Sequence, residues 1–361
     1  MKILFSNCWQ AGNTGDVAIW KNLMKHLSQA FPTVEFIIAS QNLLDWDVNQ
    51  LIEYKVKFYT NNIGEIDPLM NAVKEADVII SQGGGYMIGD GMFPYLQAFK
   101  LAQDLGKPTF FSTQTFVGPI NDETKKLLKE VLNKALVVSP REQGTYDLLK
   151  DAGVNEDKLI MAPDTIFDIG IKNYNFPYPN SIKFCIRGYL PQTTVLKEKA
   201  KLADMIMETM GQVVFIPVGH GGDRDDRPIM KEIASYMKHK AIIIEDKLTA
   251  EEIKSIMKDG MVISSRYHGL IYAASMETPF VPITPDIDNK TPGLLELFDY
   301  PIEILDKNSF NAEHAFEVVL DVWQNRSKYK ELIKMKLPEV KKKAVLVYEK
   351  IIEGIKHANI T

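Results

Sequence analysis

Apolar residues in this chain fall into short unbroken runs that alternate with stretches spaced three and four apart, the signatures of buried strands and one-sided helices. The first run, KILFSNCW at 2–9, reads as a strand. A glycine-rich turn, Gln10 to Asp16, interrupts it, and Val17, Trp20, Leu23, Met24, Leu27 and Phe31 then mark one helix face that Pro32 closes. The pattern repeats, with strands predicted at 34–40, more weakly at 55–60, and at 77–82, where the run stops at Gly83-Gly84-Gly85. A helix over about 94–105 leads to a strand at 108–116. The amphipathic stretch 122–134 precedes a strand at 135–139, a helix opened by Pro140-Arg141-Glu142, and a short strand at 158–162. Strands and helices taking turns in this way predict a parallel, doubly wound sheet with its strand ends on one edge.

Residues 170–182 (GIKNYNFPYPNSI) lose this periodicity and mark a boundary. The alternation then restarts: strands at 183–189, 213–218, 241–245, 261–265 and 280–284, with helices at 193–210, 227–238, 249–258 and 268–277 between them. The stretch 311–356 is mostly helical. The expected fold class is α/β, with two Rossmann-like doubly wound domains, 1–175 and 176–361, the second carrying the C-terminal helices. Their carboxyl edges would face a central cleft, where ligands of such folds bind.

Composition narrows the function. With 45% hydrophobic and 25% charged residues, the 361-residue chain is that of a globular protein. A net charge of −5 argues against nucleic acid or an anionic membrane as the main partner, so any anionic ligand needs a local cation cluster. Lys341-Lys342-Lys343 reads as a solvated helix face. Cys8 and Cys185, far apart in apolar runs, fit buried thiols in a reduced, cytoplasmic protein. Neither a signal-peptide core nor an apolar stretch of about 20 residues is present.

The candidate chemistry centres on GMVISSRYHGLIYAA at 260–274: an apolar strand, an abrupt polar turn at Ser264, Ser265, Arg266, Tyr267 and His268, then a helix. Arg266 supplies a planar cationic fork suited to carboxylate or phosphate, and His268 can move a proton near neutral pH. Helix N-terminal amides would point the same way. The plainer alternative is a surface arginine and a capping histidine. Gly12-Asn13-Thr14-Gly15-Asp16 lacks the pattern of a dinucleotide or Walker loop, and Asp16 falls in the first helical turn. Three glycines at 83–85 imply close approach by backbone or ligand, with Tyr86 and Asp90 near enough for a polyhydroxylated acceptor. Arg141 stands at a strand end as Arg266 does, though a local pair with Glu142 would also explain it. His220, with Asp223, Asp225 and Asp226 nearby, ends another strand but lacks strong metal-ligand spacing.

With GNTGD at 12–16, the triple glycine, Arg141-Glu142, Pro163-Asp164 and Ser265-Arg266-Tyr267-His268 in that order, the chain resembles the polysaccharide pyruvyl transferase family from about residue 3 to about 300. The resemblance implies the glycosyltransferase B architecture, with 1–175 as acceptor side and 176–361 as donor side. It also implies transfer of an enolpyruvyl-derived unit from phosphoenolpyruvate to a sugar, forming a pyruvate ketal. Arg141 and Arg266 would bind the donor's carboxylate and phosphate, His268 would act as general acid, and Lys290 would be a further phosphate contact. Asp16 and the Gly83–Gly85 stretch would face the acceptor. Ser265, Gly15, His220 and Asp164 complete the substrate-binding candidates. Where the family often shows an aromatic and a lysine closely spaced, this chain reads VPITPDIDNK at 281–290, without the aromatic.

Such a reaction calls for neither nicotinamide nor metal, and its partners are phosphoenolpyruvate and a glycan precursor. It leaves room for oligomers and for peripheral contact with membrane-linked glycan intermediates. The alternatives are a nucleotide-sugar-dependent glycosyltransferase of the same architecture and a non-catalytic glycan- or anion-binding relative.

Overall fold

The computed structural model describes residues 1–8, 12–40, 44–60, 67–187, 193–283 and 290–358. The chain forms two compact units: Met1–Ala11, Asp16–Asp168 and Val340–Thr361 make the first, Gly12–Gly15 and Ile169–Glu339 the second.

In chain order the first unit's elements begin with β1 (Lys2–Cys8), α1 (Thr14–Ala30, whose first two residues belong to the second unit), β2 (Glu35–Ser40), α2 (Asp45–Asn49), β3 (Val56–Thr60) and α3 (Asp67–Glu75). They continue with β4 (Val78–Ser81), β5 (Gly84–Ile88), α4 (Phe93–Asp104), β6 (Thr109–Val117), α5 (Asp122–Lys134), β7 (Val137–Pro140) and α6 (Gln143–Asp151). Every strand pairing is parallel. The order runs β3-β2-β1-β4-β6, with β7 on the far side of β6 and β5 continuing β4's track along β6's second half. Strands buried on both faces read as continuous apolar runs, which is why β1 and β4 were legible. Helices show stripes instead: Val17, Trp20, Leu23, Met24 and Leu27 are all buried. Helix α5 carries its own start signal, the Asn121 side chain accepting the Thr124 N–H at 2.8 Å.

The second unit repeats the plan on a smaller sheet: β8 (Ile182–Cys185), α7 (Thr193–Thr209), β9 (Val213–Phe215), α8 (Arg227–Tyr236), β10 (Ile242–Ile243), α9 (Ala250–Ile256), β11 (Met261–Ser264), α10 (Tyr267–Ser275) and β12 (Phe280–Pro282). Helices α11 (Lys290–Leu297), α12 (Ala312–Gln324) and α13 (Arg326–His357) follow. The strand order is β10-β9-β8-β11-β12, again all parallel. Order reverses between β8 and β11, the switch point at which doubly wound sheets open a ligand crevice.

Three expectations need correction. The glycine run opens a strand: Gly84 and Gly85 begin β5, and the Gly84 carbonyl accepts the Gln114 side-chain N–H at 2.7 Å. The short strand at 158–162 is reduced to one bridge, Val138 to Leu159, because a 3-10 turn at Glu156–Lys158 takes up its start. The division at 175/176 falls instead at 168/169, and the end of the chain returns to the first unit. There Tyr348 receives the Asn22 amide at 3.1 Å, and Gly354 lies so near Phe110 that a Cβ would come within 2.6 Å of its ring. No helix among the described residues is long and apolar enough to cross a membrane.

Candidate functional site

The turn that leaves β11 sits at the second sheet's switch point and is held by its own hydroxyls. Ser264 Oγ donates to the Arg266 carbonyl at 2.7 Å and accepts the Arg266 N–H at 3.0 Å. Ser265 Oγ accepts the Arg187 N–H at 2.8 Å, which ties the turn to the end of β8. Gly269, in the first turn of α10, has no room for a side chain: a Cβ would lie 2.5 Å from Ser264 Oγ and 3.1 Å from Cys185 Cβ. The helix therefore starts directly against the strand ends, its N-terminal amides at the sheet's carboxyl edge.

Arg266 is 6% exposed and held along one edge. Its Nε donates to both Asp226 carboxylate oxygens at 3.1 Å, and Nη2 donates to Asp226 Oδ1 and, at 3.1 Å, to the Arg224 carbonyl. Nη1 has no hydrogen-bond partner among the described residues. Asp226 is itself fixed by the Val218 and Gly219 N–H groups at 3.0 and 2.9 Å. Gly219 is required here, because a Cβ would meet Arg224's carbonyl and sit 2.7 Å from Arg266 Nη2. A guanidinium braced this way keeps one orientation and can present its remaining edge to an anion.

His268, the second residue of α10, lies against the Gly12–Gly15 segment. Thr14 N–H donates to the Val218 carbonyl at 3.1 Å and His220 N–H to the Gly12 carbonyl at 2.6 Å, so this segment pairs antiparallel with 218–220. Asn13 Oδ1 accepts the Gly15 N–H at 3.2 Å and faces His268 Nδ1 at 3.4 Å, an arrangement that favours the Nδ1–H tautomer. Gly15 is the contact that matters most: a Cβ there would fall on the His268 ring.

His220 departs from the expectation of a substrate contact. The ring is buried, Nε2 donates to the Leu248 carbonyl at 2.7 Å, and Nδ1 accepts from Arg227 Nη2 at 3.4 Å. Both nitrogens serve the protein, and desolvation lowers its pKa to about 4, so it is a neutral brace for the 218–227 turn.

In the first unit, Arg141 is buried at the end of β7. Its Nη1 donates to Asp164 Oδ2 and its Nη2 to Thr115 Oγ1, both at 2.6 Å, while Nε reaches Glu142 Oε1 at 3.3 Å. Asp164 Oδ1 also accepts the Ile166 N–H at 3.0 Å, and Glu142 Oε2 accepts the Thr145 hydroxyl at 3.0 Å. Two carboxylates thus surround the Arg141 guanidinium, Glu142 at Nε and Asp164 at Nη1, and the local pair with Glu142 that the sequence left open is present. Gly83 is explained by β6, since a Cβ would lie 2.6 Å from Thr113 Oγ1 and 2.9 Å from its carbonyl. Gly84, at φ +148°, needs glycine's conformational freedom. Beside them Tyr86 donates to the Gln82 carbonyl and, at 3.0 Å, to Gln114 Oε1. Asp90 caps the Asn121 N–H at 2.9 Å, which holds its carboxyl below the usual range. Asp16 lies half-buried in the first turn of α1. Lys290 is the first residue of α11, half-buried, and the acidic stretch of sequence before it, 284–289, lies outside the described residues. Cys185 is a buried free thiol whose pKa burial pushes up, leaving it unreactive.

Three residues carry signals in the sequence that do not by themselves reveal these contacts. Asp226 reads there as a metal-ligand candidate, not as the partner of Arg266. Arg187 had a visible signal, a charge at the end of an apolar strand. Gly269 had another, a glycine early in a helix that requires a packing reason.

The comparisons agree with this architecture. A family described as polysaccharide pyruvyl transferase matches residues 13–287. The amylovoran biosynthesis protein AmsJ of Erwinia amylovora is 23% identical over 364 residues, covering 83% of this chain and 87% of its own length. Among solved structures, a UDP-N-acetylglucosamine 2-epimerase described from Listeria monocytogenes matches with TM-score 0.69 at 14% identity, over 100% of this chain and 97% of that one. S. aureus MnaA with UDP gives 0.69 at 14%, over 99% and 96%. Anabaena HepE with UDP and glucose gives 0.62 at 12%, over 99% and 100%. At such identities the likeness establishes the fold alone: two Rossmann-like domains of the glycosyltransferase B type.

Proposed function

The chain belongs to the polysaccharide pyruvyl transferase family, and from that premise we propose that it moves the enolpyruvyl-derived unit of phosphoenolpyruvate onto a sugar of a polysaccharide precursor, closing a pyruvate ketal. The observation that carries this reading is Arg266, locked by Asp226 along its Nε/Nη2 edge, with Nη1 unpaired among the described residues two positions before His268. A small acid bearing phosphate and carboxylate suits such an edge beside helix amides.

In this reading His268, holding its Nδ1 proton toward Asn13, delivers a proton from Nε2 to carbon 3 of the donor. Carbon 2 becomes electron-poor, a sugar hydroxyl adds to it, phosphate departs, and a second hydroxyl closes the ring. The two hydroxyl protons balance the one gained by carbon 3 and the one that leaves with phosphate. Asp16 is assigned to take a proton from the acceptor hydroxyl, and Ser265 keeps the turn in shape.

The test is phosphate release from phosphoenolpyruvate with a panel of sugars and glycan precursors. His268→Ala should lower kcat by about 10²–10⁴-fold with donor affinity changed far less, because a proton donor acts mainly in the transition state. Absence of phosphate release with every acceptor, together with tight binding of a nucleoside diphosphate and none of phosphoenolpyruvate, would move the assignment to a nucleotide-sugar glycosyltransferase.

A further inference from the structure

A histidine that gives up a proton each turnover must regain one, and the cycle is simplest when a single ring nitrogen does both. Asn13, which lies outside the catalytic turn, bears on this choice. It stands directly before α1, in the segment that pairs antiparallel with 218–220 through its bridge to Gly219. The segment is fastened on both sides of it. The Gly12 carbonyl accepts the His220 N–H, and Thr14 gives its N–H and its hydroxyl, each at 3.1 Å, to the Val218 carbonyl. The Thr14 hydroxyl also lies 3.4 Å from that of Tyr272, a buried residue of α10. Tyr272 follows His268 by four positions, so the two side chains share one face of that helix. Asn13 meets the first and Thr14 the second, and the segment therefore runs along this face of α10.

An amide side chain offers an oxygen on one branch and a nitrogen on the other, and its hydrogen bonds identify which is which. The Gly15 N–H can only donate, so the atom 3.2 Å from it is the oxygen, Oδ1. That oxygen lies 3.4 Å from His268 Nδ1 as well, which makes Nδ1 a second donor to it. Nδ1 then keeps its hydrogen in the neutral ring and in the cation alike. Only Nε2 changes. After Nε2–H breaks and carbon 3 gains the proton, the ring retains the electron pair at Nε2, where a hydroxyl proton of the acceptor refills it. Neither a ring flip nor a change of tautomer intervenes.

We propose that Asn13 is a positioning residue of the site, holding His268 in its Nδ1–H form so that Nε2 alone gives and regains the proton. The place of the hydrogen follows from the geometry of the second unit; only its catalytic use rests on the transferase reading.

The test is nitrogen NMR of the full chain carrying isotope-labelled histidine, with the His268 signals identified by their loss in His268→Ala. In the parent the neutral ring should bear its hydrogen on Nδ1, and acid should change Nε2 alone. Asn13→Leu, similar in size but without the acceptor, should move neutral His268 to the Nε2–H form. It should lower kcat for phosphate release by about 10²-fold or more and change the KM for phosphoenolpyruvate by no more than about threefold. Asn13→Asp retains an oxygen toward Nδ1 and should restore the Nδ1–H form, with kcat within about tenfold of the parent, a rescue that packing alone would not produce. A parent ring with its hydrogen on Nε2, or an Asn13→Leu protein that keeps the Nδ1–H form or the parent kcat, overturns the proposal. The spectra need no substrate. If no acceptor supports phosphate release, the transferase reading fails while the spectra still decide whether Asn13 places the proton.

Discussion

Gly15→Ala isolates the packing that orients His268. A methyl at this position would lie 1.8 Å from Nδ1 and 2.1 Å from Cγ, where ordinary contact is 3.4–4 Å, so the imidazole must retreat by more than an ångström. Two effects then oppose one another. Alanine in place of glycine near a helix start favours the fold by about 0.5–1 kcal/mol. Overpacking a buried ring costs about 1–3 kcal/mol. The net should be a destabilisation of about 1–2 kcal/mol. Activity should fall further, since misplacing a reacting group by about 1 Å costs on the order of 10²-fold. Urea unfolding of Gly15→Ala, His268→Ala and the double variant provides a readout that needs no substrate. With the ring gone the methyl has space, so in the His268→Ala background Gly15→Ala should be neutral or stabilising by up to about 1 kcal/mol. If Gly15→Ala destabilises both backgrounds equally, or keeps full activity, the contact does not position the histidine.

Asp226→Asn should destabilise the protein by about 3–5 kcal/mol in denaturant unfolding, because it leaves the buried Arg266 guanidinium without its counter-charge; a loss under about 1 kcal/mol contradicts the brace. The His220 contribution depends on acid. Its native pKa of about 4 lies below the 6.5 of an ordinary histidine, so below pH 6.5 the unfolded chain binds a proton that the folded ring refuses until about pH 4. Stability should therefore fall across that window, by roughly 3 kcal/mol for this residue. His220→Gln should reduce the stability lost between pH 6.5 and 4.5 by about 2 kcal/mol, the part of that difference falling in this range, and an unchanged loss would assign the acid sensitivity to other groups.

Much of the site was legible in the sequence because local patterns encode local structure. An apolar run ending at Ser264-Ser265-Arg266-Tyr267-His268 announces a strand, a turn and a helix start, and the structure places all three there. The glycines were legible as close approach, but not what approaches: β6 passes Gly83, and an imidazole more than 250 residues away covers Gly15. Arg141 and Arg266 looked alike as charges at strand ends. The carboxylates that hold them, Asp164 and Asp226, lie 23 and 40 residues away and have no spacing rule that ties them to their arginines.

The alternation of strand and helix, the two doubly wound sheets and the chemistry-bearing turn follow from the periodicity of apolar positions, which depends on neighbours three or four residues apart. Which charges are neutralised, which edge of Arg266 is held and why the last helix returns to the first unit depend on chain segments far apart in sequence. Those outcomes are decided when the chain closes on itself, because burial and electrostatic pairing act through space.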